Sequence, residues 1–161
     1  MIALLAALLL SSGTCFPPPV GAPIAEPFRE PACSYCPGHR GLGYALPEGT
    51  VVAAIAPGEV TFAGMVAGVR WVVVGLADGR KISYGHLSAA LVRRGQVVGT
   101  GQPVGLSSTW LHLAVRDGEV YLDPAPLLGW WQVRVRLVPA GGGPRRAGPD
   151  RRLNCPAVRP P

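Results

Sequence analysis

From Val51 onward no stretch of this chain sustains an apolar face at the 3.6-residue period of a helix, because glycine or proline interrupts every candidate window. There are 22 glycines and 18 prolines in 161 residues, and both types destabilise helix interiors. Between the interruptions lie short apolar or alternating runs. Val51–Ala56 stops at Pro57-Gly58, and Glu59–Ala63 follows. Arg70–Leu76 passes through Asp78-Gly79 into Lys81–Leu87, and Leu111–Arg116 turns at Asp117-Gly118 into Glu119–Leu122; both have the form of hairpins. The expected fold is all-β, with short antiparallel strands closing into a sandwich or barrel-sandwich.

A length of 161 residues leaves room for one domain. Met1–Leu10 is almost wholly apolar but too short to cross a bilayer, which takes about 20 residues. With Ser11 and Gly13 after it, the segment 1–14 reads as a secretory signal peptide cleaved near Thr14. Lipidation at Cys15 and a retained anchor are the alternatives. Residues 15–24 are proline-rich and read as an extended linker, 25–138 as the domain, and 139–161 as a disordered basic tail. The formal net charge is +6; Arg145, Arg146, Arg151, Arg152 and Arg159 stand in the tail against Asp150. Such a tail is ordinarily a solvated end, although it could touch anionic wall polymers or lipid headgroups. No nucleic-acid partner is expected.

Four cysteines in an exported chain invite disulfides. Cys33 and Cys36 are close enough to close a small ring, and Cys15 could pair with Cys155 if it survives processing. Cys33-x-x-Cys36-x-x-His39, with His112 folded nearby, offers a closed Cys₂His₂ zinc site as a competing fate.

All three histidines lie in recognisable segments: His39-Arg40-Gly41-Leu42-Gly43, Tyr84-Gly85-His86-Leu87-Ser88 and Trp110-Leu111-His112-Leu113. These resemble the H-x-x-x-D, Y-x-H-L-S and H-L-H motifs of the lysostaphin/LytM-type zinc endopeptidases, which cut peptide crosslinks in bacterial peptidoglycan. Pro47-Glu48-Gly49-Thr50-Val51-Val52-Ala53-Ala54, Gly101-Gln102-Pro103-Val104-Gly105 and Tyr121-Leu122-Asp123-Pro124 extend the likeness over about 25–128. Val51–Gly58 and Gly95–Gln102 also resemble biotinyl and lipoyl carrier domains. That likeness fails at the modifiable residue, because Lys81 is the only lysine and lies outside any such turn.

The resemblance implies zinc held at positions 39, 43 and 112, with positions 86 and 110 serving acid–base and transition-state roles. Here the ligand Asp is Gly43 and the first histidine of H-L-H is Trp110. A catalytic zinc takes three protein ligands and an open position. His39 and His112 alone would hold it weakly, so zinc is doubtful. Trp110 offers an N–H donor and cannot relay a proton, and general acid–base help is worth about 10²–10⁴-fold. His86 is then vestigial, or a satisfied half-buried histidine, and His39 a loop residue bonded to backbone. Strand alternation turns His112 away from Leu111 and Leu113, toward the metal side. Tyr84 and Trp110 are candidate binding residues, and Trp130-Trp131 would close the edge of the sandwich.

The expectation is an exported envelope protein, catalytically degenerate, that binds peptidoglycan or regulates a wall hydrolase. One alternative is a zinc endopeptidase with a rearranged site built from His39, His86 and His112. Another is a disulfide-clipped wall protein whose tail does the binding.

Overall fold

The computed structural model describes residues 15–33, 36–133 and 151–156. The expected signal segment 1–14 lies outside them. Ten strands are formed among the described residues: β1 (Leu42–Ala45), β2 (Val51–Ala53), β3 (Gly58–Val66), β4 (Val69–Gly75), β5 (Lys81–Ala90), β6 (Val97–Val98), β7 (Pro103–Asp117), β8 (Val120–Leu122), β9 (Trp130–Val133) and β10 (Arg151–Asn154). One turn of 3₁₀ helix covers Ala125–Leu127, and no α-helix occurs among the described residues. The all-β expectation is met, and both hairpins form at the Asp-Gly turns.

The main sheet is antiparallel, in the order β1-β7-β5-β4-β3-β6, with β2 and β8 also pairing with β7. β7 is the spine: it was expected to begin at Leu111 and instead starts at Pro103, running past β1, β2, β5 and β8 in turn. Period-two alternation sorts the faces. Val72 and Val74, Ile82 and Tyr84, and Leu111, Leu113 and Val115 are buried in the core. Trp71, Gly85 and His112, at the alternate positions, share the other face.

The proline-rich start of the described chain bends at residues 19–22 and does not run free. Val20 is buried in the core, the Ala53 amide donates to the Pro19 carbonyl, and Phe16 bridges to Leu128. The tail expectation also changes where it can be seen. Arg151–Asn154 pairs with Trp130–Val133 as a two-stranded sheet, and Cys155 is disulfide-bonded to Cys15. Trp130 and Trp131 therefore sit on that small ribbon, exposed, rather than sealing the main sheet.

Candidate functional site

One cross-strand row assembles the site. Antiparallel partners directly opposite one another present their side chains on the same face. The register places Gly43 opposite His112, His112 opposite Gly85, and Gly85 opposite Trp71. At the outer end, Glu26 forms an antiparallel bridge with Gly43, closed by the Gly43 amide donating to the Glu26 carbonyl at 2.8 Å. The row thus reads Glu26, Gly43, His112, Gly85, Trp71.

His39 joins this row from the N-terminal segment, where it bridges to Arg29. Its ring meets His112 edge-on, with centroids 4.9 Å apart. The Nδ1 atom lies 2.9 Å from the Pro27 carbonyl oxygen, so the tautomer satisfying that contact carries its proton on Nδ1 and leaves the Nε2 lone pair open. A carboxylate oxygen of Glu26 stands 3.7 Å from that Nε2. His112 is half-buried. Burial, followed by the charges of His39 and His86, pulls its pKa down to about 4, so it is neutral at neutral pH.

The two missing partners turn out to be one packing feature. A Cβ built on Gly43 would collide with the Trp110 indole, meeting Cζ2 first and also Cε2 at 2.9 Å and Cη2 at 3.0 Å. The indole therefore occupies the space in which an aspartate at position 43 would begin. Gly85 has the same relation to Trp71, whose six-membered ring covers it. Two flat aromatic surfaces thus lie on two glycines of the row, on either side of His112.

His86 does not join the pair. It sits where the β5–β7 register shifts, with φ of 62° and its side chain exposed, so the half-buried alternative does not hold. Its ring is 6.3 Å from Trp71, which in turn is 5.8 Å from His112. Tyr84 is corrected more sharply. It is wholly buried, and its hydroxyl accepts from the Ile55 amide at 2.9 Å, so it is a core residue that cannot contact a ligand. Cys33 and Cys36 are joined as a disulfide, which removes them from any Cys₂His₂ site.

The donor set does not fit a hydrolytic zinc of the expected kind. Position 43 contributes no side chain, and the neighbouring indole fills its space. Among the described residues no three His, Cys, Asp or Glu side chains converge on one point as they stand. Beyond Trp71 the same face opens into a groove of about 880 Å³, whose walls include Phe62, Lys81, Arg94, Arg116 and Tyr121 and no carboxylate. Sequence reasoning missed both Glu26 and Trp71.

The chain is similar to known proteins in sequence and in fold. The model of peptidase family M23 matches residues 37–124, more than half of the chain. The DD-carboxypeptidase/endopeptidase Mpg of Neisseria meningitidis is 40% identical over 93 residues, covering 53% of this chain and 22% of Mpg. The chain therefore spans about a fifth of that relative. Helicobacter pylori Csd3 superposes with a TM-score of 0.63 at 26% identity, covering 72% of this chain and 35% of that one. A point mutant of the catalytic domain of the prophage-encoded M23 protein EnpA from Enterococcus faecalis gives 0.56 at 28% identity, covering 68% of this chain and 95% of that one.

Proposed function

The chain belongs to peptidase family M23, and we propose that it is a catalytically degenerate member acting at the bacterial cell envelope, where it binds peptidoglycan or regulates a separate wall hydrolase. The observation that carries this reading is the indole of Trp110 lying in the space of the absent carboxylate at Gly43. Loss of a ligand alone would leave a gap that a water or a mobile acid could enter. Filling that gap with an aromatic ring removes the room as well as the charge. Zinc supplies the Lewis acid and activated water of the family's chemistry when it is bound.

What the face retains is suited to binding. Phe62, Trp71 and Tyr121 offer ring surfaces, and Lys81, Arg94 and Arg116 offer positive charge. That combination complements sugar rings and the carboxylates of wall peptides. Mpg is by name a DD-carboxypeptidase/endopeptidase, which supports wall material as the partner. Two disulfides suit an oxidising compartment outside the cytoplasm.

The test is co-sedimentation of the oxidised protein with purified peptidoglycan, together with capture of wall hydrolases from the same envelope. Retention on either, weakened at least tenfold by Lys81→Glu with Arg116→Glu, is expected. Retention on neither would remove the proposal's support.

One observation favours a second reading, a zinc endopeptidase rearranged around His39, His86 and His112. His86 keeps a left-handed backbone of φ 62°, a costly conformation for a non-glycine residue that is often held for function. Chelator-sensitive release of crosslink peptides, lost in His86→Ala, would establish it.

A further inference from the structure

We propose that the basic end of the groove is a phosphate subsite, and that its ligand is a glycan carrying phosphate groups. This rests on the binding role proposed above and names the chemistry bound. Two like charges are held side by side there. Register sets Lys81 of β5 directly opposite Arg116 of β7, so both side chains rise from one face of the sheet. Like charges in that relation are destabilising, and an anion seated over them removes the cost.

The protein's own carboxylates do little to relieve the pair. Glu119 lies 3.9 Å from Arg116, but it is 93% exposed and solvent screens the contact. Lys81 and Arg94 have no ion-pair partner among the described residues. Glu59 shares the cross-strand row through Gly75, two strands from Lys81 and therefore about 10 Å away. Salt largely screens charges at that separation.

Arg94 approaches from the opposite flank. It lies in the turn between β5 and β6, where the adjacent Gly95 amide donates to the Val60 carbonyl of β3 at 2.8 Å. Cations thus stand on both sides of a floor that includes Trp71 and Ser83. The gap suits one sugar unit between two phosphates, with its ring stacked on Trp71 or Phe62. A phosphate offers several acceptor oxygens to the Arg116 fork and the Lys81 ammonium. The Ser83 hydroxyl, two residues along β5 on the same face as Lys81, has no partner among the described residues and is a further donor. An extended peptide fits less well. β4 is already paired with β3 and β5, so the groove floor has no open strand edge for backbone hydrogen bonds.

The oxidised protein is co-sedimented with a wall preparation rich in phosphodiester-linked glycan, and with the same wall stripped of phosphate by hydrofluoric acid. Retention should fall at least tenfold on stripping. Equal retention on both would overturn the phosphate subsite while leaving wall binding intact. Retention on neither would remove wall binding itself, and the proposal with it. Calorimetry with glucose 1-phosphate, glucose and inorganic phosphate then separates the parts of the ligand. The sugar phosphate should bind most tightly; inorganic phosphate binding as tightly would overturn the glycan assignment. Lys81→Gln and Arg116→Gln should each weaken the sugar phosphate at least tenfold. Arg152→Gln, which removes one charge from the small ribbon, should leave binding unchanged. Lys81→Gln should also raise the urea midpoint of the ligand-free protein, because it ends the repulsion. A folded Lys81→Gln protein that binds like the parent, or whose midpoint falls, would overturn the proposal.

Discussion

If the Trp110 indole and the missing side chain at Gly43 are one packing feature, the two positions must be energetically coupled. Gly43→Ala adds a single methyl group. On an ordinary buried strand this would help, because alanine loses less backbone freedom than glycine, by about 0.5–1 kcal/mol. Here the new Cβ would meet the indole at 3.0 Å or closer at three carbons, so the ring or the strand must shift. Overpacking of that kind costs about 1–3 kcal/mol, and Gly43 is held by β7 on one side and by the bridge to Glu26 on the other, which places the cost in the upper part of that range. Gly43→Ala should therefore destabilise the parent by about 1–2 kcal/mol. In a Trp110→Ala background the collision is gone, and the same methyl should stabilise by about 0.5–1 kcal/mol. The coupling is about 1.5–3 kcal/mol, well above the few tenths expected for independent sites. Urea unfolding of the four oxidised proteins, with matching m-values, measures it. A coupling below about 0.5 kcal/mol, the scatter of independent sites, would refute the claim that the indole has taken the aspartate's place.

Further expectations follow from individual groups. The Tyr44 hydroxyl is buried with no hydrogen-bond partner among the described residues, so Tyr44→Phe should stabilise by about 1 kcal/mol, read as a higher urea midpoint. His86→Gly should stabilise by about 1 kcal/mol in the same assay, by relieving the left-handed backbone. The His112 pKa is lowered to about 4, so between that value and the ordinary value of 6.5 the unfolded chain binds the extra proton and the folded chain does not. Stability of the metal-free protein should then fall as pH drops from about 6.5 toward 4, by on the order of 1–2 kcal/mol, and His112→Gln should flatten that slope. Cys15→Ser should lower stability by about 2–4 kcal/mol, because the bridge to Cys155 spans a separation of 140 residues.

Legibility in the sequence followed the range of the signal. The β-strands and the Asp-Gly hairpins were readable because turn chemistry and two-residue alternation are local. The approach of His39 to His112 was readable through the motifs that carry them. Glu26 was not. It sits between Ala25 and Pro27 in no periodic run, and only a bridge to a distant strand brings it to the site. Trp71 read as one more strand residue. Its place could have been inferred by noting that Val72 and Val74 take the core face, which turns Trp71 to the other. Tyr84 misled because a motif position was taken for an exposed one, whereas its alternation with Ile82 already placed it inside. Within the tail, composition describes only a segment's average: Arg151–Asn154 finds a partner strand in Trp130–Val133, and Cys155 is bridged to Cys15.

The central claim is that this face has kept the family's scaffold and lost its hydrolytic chemistry. The most direct measurement is release of crosslink peptides from purified peptidoglycan, at high protein concentration and with zinc supplied. The account predicts no release above a protein-free control. Zinc-dependent release that a chelator stops and His112→Ala abolishes would contradict it.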